Sequence, residues 1–250
     1  MNTHKDGEAN EIDQWFEKNS PKTRLLHVGC GSDYRHGWCN VDYYPYNGTD
    51  QHRGENITPD VWCDVRNVYC SEDSIDAIFS SHVIEHFYRQ EACDLISNLT
   101  IFLKPGAIMI HEMPDLKRIL LLYMLMPFRP SLKYVHSEAR DVILSQLYGA
   151  TWEDYRKQYV HHRYVWTRDE FCSKLETLGL RVLLKTGATT THYPFRDMAI
   201  IAQKNGQPSI ETEISNKAII KQYGDRLRRI ERQLSSLWKI CKHGYLSRDK

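Results

Sequence analysis

The chain has 250 residues, 41% hydrophobic and 26% charged, enough for one α/β domain with an appendage and ample sequence for a core. A formal net charge of +1 gives no global reason to expect a nucleic-acid partner. Seven cysteines lie scattered with no CxxC spacing, which argues against both a zinc site and a disulfide framework.

Residues 1–10, MNTHKDGEAN, read as a disordered tail; they contain no apolar core segment, so no secretory signal is expected. A reducing cytoplasm is the expected compartment. Glu11 to Asn19 carries Ile12, Trp15 and Phe16 at helical spacing and Pro21 stops it; packing on the sheet is the expected role of this helix. The informative stretch follows, Arg24 to Asp42, RLLHVGCGSDYRHGWCNVD. A short apolar run (Leu25, Leu26, Val28) passes into Gly29-Cys30-Gly31, and a second apolar step, Trp38 to Val41, ends in Asp42. A buried strand, a glycine turn and an acid at the tip of the next strand are how doubly wound α/β domains hold an adenosine-bearing ligand. Glycines let the backbone approach the ligand because they have no Cβ. The dinucleotide fingerprint needs a third glycine where this chain has Tyr34, and Gly29 to Asp42 is shorter than the ~20 residues expected before a NAD-binding acid. No GxxxxGK[ST] run is present, which excludes a P-loop.

The pattern resembles class I S-adenosylmethionine (SAM)-dependent methyltransferases, and within them the subgroup written "GCG…GW.NVD…P", whose members often accompany glycan-building enzymes. The resemblance covers about Leu25 to Gln203 and is specific in its first half. It implies a doubly wound, mostly parallel, seven-stranded Rossmann-like sheet with an antiparallel last strand. SAM is the implied cofactor and S-adenosylhomocysteine the product. His27, Gly29, Cys30, Gly31 and Asp42 would surround the methionine and ribose portions, Asp64 and Val65 the adenine, and Ser80, Ser81 and His82 the sulfonium.

Beyond Asp42, residues 43–60 are polar and rich in turn formers, a surface loop. Val61 to Asp64 reads as a short third strand, with Asp64 either touching the adenine amino group or capping a turn. Ile75 to Ser80 is an apolar strand followed by SHVIEHF, so Ser80, Ser81 and His82 should edge a site at the strand's carboxyl end. Ala92, Leu95, Ile96, Leu99, Phe102 and Leu103 mark an amphipathic helix. Lys104-Pro105-Gly106 breaks it and turns the chain into a strand, Ala107 to Ile110. Residues 116–165 are too long for a plain connection and read as an inserted helical lid over the acceptor site. Its apolar run, Ile119 to Met126, is about half of the ~20 residues a bilayer span takes; a lid lying on a membrane surface is the alternative.

Thr167 to Glu170 has the T-x-x-E pattern that opens a helix, and Arg181 to Leu184 and Met198 to Ala202 are the last two strands. The methyltransferase domain is expected to span 1–205, leaving 206–250 as a helical segment. There Ile220, Tyr223, Leu227, Ile230, Leu234, Leu237 and Cys241 recur at steps of three and four, the a/d seam of a short coiled coil. Oligomerisation ranks first for this tail, ahead of a basic amphipathic helix meeting an acidic partner or membrane, and of packing on its own domain.

For the chemistry, His82, His86, His111 and Asp115 are the candidate catalytic residues. His82, Glu85 and His86 would share one face of a helical turn. In some relatives an E-x-x-E-H version of this run binds magnesium. Here His replaces the first Glu, and imidazole suits transition ions better than magnesium, so no metal is assigned. His161 and His162 read as a loop pair approaching the capped helix. No NPPY-type run follows the fourth strand, which favours an oxygen over an exocyclic amine as methyl acceptor. The expected activity is SAM-dependent O-methylation of a sugar in a glycan or its precursor. The rivals are a small-molecule methyltransferase of secondary-metabolite or quinone type, and a cofactor-binding scaffold that recruits a glycan-synthesis partner.

Overall fold

The computed structural model describes residues 11–31, 33–43, 58–125, 147–149, 161–186 and 196–225. Seven strands form one sheet: β1 (Leu25–Val28), β2 (Cys39–Asp42), β3 (Val61–Trp62), β4 (Ile75–Ser81), β5 (Leu103–Pro114), β6 (Leu180–Thr186) and β7 (Asp197–Lys204). Their order is β3-β2-β1-β4-β5-β7-β6. Pairings are parallel except for those of β7, which runs antiparallel to both β5 and β6. The expected mostly parallel sheet with an antiparallel last strand is therefore present. Strand order reverses direction between β1 and β4, the switch point outside which such sheets bind ligands.

Strand bounds differ most from the sequence reading at β3 and β5, and β5 also runs on to Pro114. β3 stops at Trp62, because the Asp64 side chain accepts from the Arg66 N–H and caps a 3-10 turn, Val65–Asn67. β5 starts at Leu103 rather than Ala107, directly at the end of helix α2 (Arg89–Phe102), with a shift of register against β4 between Ile75 and Ala77.

The helices are α1 (Glu11–Asn19), α2, α3 (Leu116–Leu125), α4 (Arg168–Thr177) and α5, residues 210–225. Side chains alternate along a strand, so the sheet has two faces to cover. One face (Leu26, Val28, Ile78, Met109, Ile200) packs against Ile12 and Phe16 of α1, the apolar side of α2, and Phe171 and Leu175 of α4. The opposite face (Ala77, Phe79, Ile108, Ile110, Ala199, Ile201) packs against Tyr223, with Ile219 and Ile220 beside it. Only about ten residues separate β1 from β2, too few for the usual crossover helix, and α5 takes up the sheet face left uncovered there.

This reassigns the start of the proposed coiled-coil seam. Ile220 and Tyr223 face the chain's own sheet, because that face has no other described helix to exclude water. Leu227, Ile230, Leu234, Leu237 and Cys241 lie outside the described residues. The attachment is specific as well as apolar. Asn216 Nδ2 and Gln203 Nε2 donate to the Gly106 carbonyl at 2.7 and 2.8 Å. Gly106 has φ +74, and a Cβ there would come within 2.6 Å of Pro208. The LKPG turn is thus where the tail docks.

Of the expected lid, α3 is described: Ile119 is buried, while Leu120, Leu121 and Met124 are exposed. Most of residues 126–160 lies outside the described residues. Among the described residues, no helix is long and apolar enough to cross a membrane.

Candidate active site

The glycine turn leaves β1 with Gly29 and Gly31 both left-handed, at φ 66 and 48. Gly29 and Cys30 donate their N–H groups to the Val41 carbonyl at 2.8 and 3.1 Å, which folds the turn over the end of β2. The Gly31 N–H then donates to Asp42 Oδ2 at 2.8 Å, aiming the carboxylate at the turn. A Cβ on Gly29 would stand 2.4 Å from Val83 Cγ2, so the turn is close-packed as well as sharply bent.

Two residues that the sequence reading passed over hold the stretch that follows this turn, Tyr34 to Trp38. Asn40, buried, accepts from the Arg35 N–H at 2.9 Å and donates to the Arg35 and Trp38 carbonyls at 3.0 and 2.9 Å. Asp60 accepts from the Asn40 N–H at 2.8 Å, from Asn40 Nδ2 at 2.9 Å and from the Tyr34 hydroxyl at 2.8 Å. An asparagine inside the apolar step CNVD was the available signal, because a buried amide must find partners.

The carboxyl end of β4 lies across the switch point from this turn. Ser81 is half-buried there, and His82 follows with φ 54, uncommon for a non-glycine residue. The His82 N–H donates to the Glu112 carbonyl at 2.9 Å. Its ring stands between two acids: Nδ1 is 2.9 Å from Glu85 Oε1 and Nε2 is 3.0 Å from Asp197 Oδ2. Burial works against a proton on His82, but Glu85 and Asp197 outweigh it and push its pKa up to about 9. Burial likewise pushes both carboxyls up, and the opposing charge of His82, with Arg196 beside Asp197, holds each below the ordinary range. At neutral pH this imidazole carries its proton. His82 is therefore held as a charged donor between the two acids.

Asp197 and Arg196 were not legible in advance. They come from the start of β7, which antiparallel pairing sets opposite Pro114, at the same end of the sheet as Asp42 and Ser81. The connection between β6 and β7 thus leaves and re-enters the sheet at the site end.

Three more candidates have other placements. His111 is inside β5, fully buried, with Nδ1 2.7 Å from Ser80 Oγ and its ring edge-on to Phe171. Burial lowers its pKa to about 3, so it is a neutral core histidine and not a proton acceptor at the rim. His27 is fully buried against Phe79, with Nδ1 3.1 Å from Asn40 Oδ1; burial and then Arg35 lower its pKa to about 4. Asp115 is buried and caps α3, accepting from the Lys117 N–H at 3.1 Å. The expected cofactor set is brought together in part: Gly29, Cys30, Gly31 and Asp42 form one turn, Ser80, Ser81 and His82 one strand end. The Cys30 thiol is buried, and burial followed by Asp42 pushes its pKa up. Asp64 is half-buried and engaged by the Arg66 guanidinium as well as its N–H; its hydrogen bonds to Arg66 hold its pKa down.

His82 touches Glu85 but is not one of a three-ligand group with Glu85 and His86, because both of its ring nitrogens are taken up by Glu85 and Asp197. The third member is instead His162: one ligand atom each from Glu85, His86 and His162 lies within 4.8 Å of the others. The segment carrying His162 is fixed there by the Glu85 carbonyl, which accepts from the Arg163 and Tyr164 N–H groups at 2.7 and 3.2 Å.

An open sheet of this order, with a tight glycine turn after β1 and an acid ending β2 beside the switch point, is the architecture of a Rossmann-like methyltransferase. The donor set fits an adenosine-bearing cofactor: close backbone approach at the two glycines, and a carboxylate held where a ribose diol can donate to it. A family model described as "Methyltransferase domain" matches residues 8–185, and the chain belongs to that family. It is a SAM-dependent methyltransferase.

No curated protein matches the sequence. Among solved structures, a SAM-dependent methyltransferase from Methanosarcina mazei is similar at 15% identity and TM-score 0.49, covering 75% of this chain and 94% of its own. The 1,6-didemethyltoxoflavin-N1-methyltransferase of Burkholderia thailandensis, bound to S-adenosylhomocysteine, is similar at 12% identity and TM-score 0.45, covering 78% and 76%. Magnesium protoporphyrin IX methyltransferase from Synechocystis, also bound to S-adenosylhomocysteine, is similar at 13% identity and TM-score 0.43, covering 80% and 90%.

Proposed function

We propose that the methyl acceptor is a hydroxyl oxygen of a sugar, in a glycan or a glycan precursor. The observation that supports the oxygen assignment is the pair of carboxylates, Glu85 and Asp197, held ionised on either side of His82 just past the end of β4. A hydroxyl has a high pKa and needs help to lose its proton, whereas an amine with an available lone pair needs little beyond alignment. In the transfer, the acceptor oxygen attacks the methyl carbon in line with the carbon–sulfur bond, sulfur leaves with that electron pair, and the hydroxyl proton passes to a base. Gly29, Gly31 and Asp42 take the methionine and ribose portions in this reading, Asp64 and Val65 the adenine, Ser81 and His82 the sulfonium side. The sugar assignment is supported by the subgroup resemblance of GCG…GWCNVD, an analogy of family and not of substrate contacts.

Two further parts of the proposal rest on the tail and on the cysteines. Residues beyond 225 continue the a/d seam and would pair copies of this chain or meet a helical partner, with α5 as the fixed base. Free thiols at Cys30, Cys39, Cys63, Cys70, Cys93 and Cys172 support a reducing, cytoplasmic location. The exposed apolar side of α3 (Leu120, Leu121, Met124) favours a second reading, a small apolar acceptor, or contact with a membrane surface. A methyl-release screen with SAM separates these. Turnover on host glycans or nucleotide sugars supports the proposal, turnover confined to small apolar acceptors replaces it, and cofactor binding without turnover on any acceptor points to a recruiting scaffold.

A further inference from the structure

We infer that Glu85, His86 and His162 form a site for one divalent ion of the zinc class, at the edge of the acceptor side. The carboxylate of Glu85 is 1% exposed, and neither of its oxygens receives a hydrogen bond among the described residues. His82 Nδ1, 2.9 Å from Oε1, is its ion-pair partner on one side without hydrogen-bond alignment, and Oε2 has no hydrogen-bond partner among the described residues. A buried carboxylate oxygen without a hydrogen bond costs free energy, so beyond its pairing with His82 this carboxylate has room for a further cation on the side of His86 and His162.

Its neighbours are prepared as ligands. His86 Nδ1 is 3.1 Å from the His161 carbonyl. A carbonyl only accepts, so Nδ1 carries the proton and the other ring nitrogen, Nε2, holds the lone pair. That is the arrangement by which a backbone carbonyl orients a ligating imidazole. His162 reaches the same point from 76 positions along the chain, and its ring stands edge-on to that of His86, with centroids 5.0 Å apart. Ligands around one tetrahedral ion with bonds of about 2.0–2.2 Å lie about 3.3–3.6 Å from one another. The three atoms here lie within 4.8 Å of one another, so a closure of at most about 1.5 Å brings them to that spacing. Two imidazoles and one carboxylate suit Zn2+ and its neighbours better than Mg2+ or Ca2+. Three protein ligands also leave a coordination position open, as in catalytic rather than structural sites. On the reading that the acceptor is a hydroxyl, that position would take the acceptor oxygen and lower its pKa, so this consequence rests on the proposed function.

The test uses the full chain, stripped by chelator and titrated with Zn2+, Co2+ and Mg2+ by calorimetry, with S-adenosylhomocysteine binding measured on the same samples. One equivalent of Zn2+ per chain is expected, with affinity lowered by at least about tenfold in His162→Ala and His86→Ala and unchanged in the exposed His36→Ala control. His162→Gln, checked by circular dichroism, covers the case in which the alanine variant fails to fold. The Co2+ adduct should lack thiolate charge-transfer absorbance. Absent Zn2+ binding, binding unaltered by either histidine variant, a preference for Mg2+, or a thiolate band would each overturn the site. Normal S-adenosylhomocysteine binding in a chain that takes up no ion would do so while leaving the methyltransferase reading intact.

Discussion

Asp197, the first residue of β7, places Oδ2 3.0 Å from Nε2 of His82, 115 positions earlier at the end of β4. The contact joins the two strand ends that flank β5, and Arg196 pairs with the same carboxylate. The acid is fully buried, so its charge is sustained only by these partners.

Asp197→Asn keeps the shape and removes the charge. Breaking a buried pair leaves His82 and Arg196 under-compensated, and the expected cost is about 3 kcal/mol in urea unfolding. A change within about 0.5 kcal/mol would mean that the carboxylate is an ordinary surface-like group.

His111 gives the protein an acid-sensitive core. Its pKa is near 3 folded, lowered by burial, and about 6.5 unfolded, so below pH 6.5 the unfolded chain binds a proton that the native one does not. Stability from this group is fully present above pH 6.5 and falls as pH drops toward 3, at about 1.4 kcal/mol per unit. His111→Gln should flatten that limb of a stability–pH curve. An unchanged slope would place the acid sensitivity elsewhere.

Tyr223 ties α5 to the sheet: its ring enters the cluster of Phe79, Ile110 and Ile201, and its hydroxyl donates to Glu112. Tyr223→Ala should cost about 3 kcal/mol by cavity formation, and Tyr223→Phe about 1 kcal/mol through the lost hydrogen bond. Ending the chain at residue 209 should expose the second sheet face and raise binding of an apolar dye. A fully stable 1–209 fragment would contradict the packing described for the tail.

Gly29→Ala puts a Cβ into the left-handed region against Val83. A destabilisation of about 2 kcal/mol is expected, together with loss of S-adenosylhomocysteine binding as the turn shifts. A variant that binds as wild type would show that the turn can relax without moving the site.

The central strands were legible because each is an apolar run bounded by a turn former: LLHV by Gly29, IDAIFS by the SHVIEH turn, and β5 by Lys104-Pro105-Gly106 at its start. The glycine turn and Asp42 are local in sequence, eleven positions apart at Gly31, and so could be paired from spacing alone. What could not be read is long-range. His82 meets Asp197, and Glu85 meets His162, only through β7 pairing and a loop folded onto a backbone carbonyl; neither leaves a periodic trace. His111 misled because a histidine just past an apolar strand looks like a rim residue. Extending β5 to Pro114 turns it into the core instead. Which of the tail's three readings holds at Ile220 and Tyr223 was not legible for a related reason: an a/d seam records one apolar stripe and is silent about whether a partner helix or the chain's own sheet covers it.

The central claim is that the Gly29–Gly31 turn and Asp42 grip the cofactor at the sheet's carboxyl rim. Titration calorimetry of the wild-type chain and Asp42→Ala with S-adenosylhomocysteine tests it most directly. One site per chain is predicted, weakened at least about tenfold in the variant, since a hydrogen bond to a charged group contributes about 1.5–3 kcal/mol. Equal affinity in both proteins, or no binding to the wild type, would contradict it.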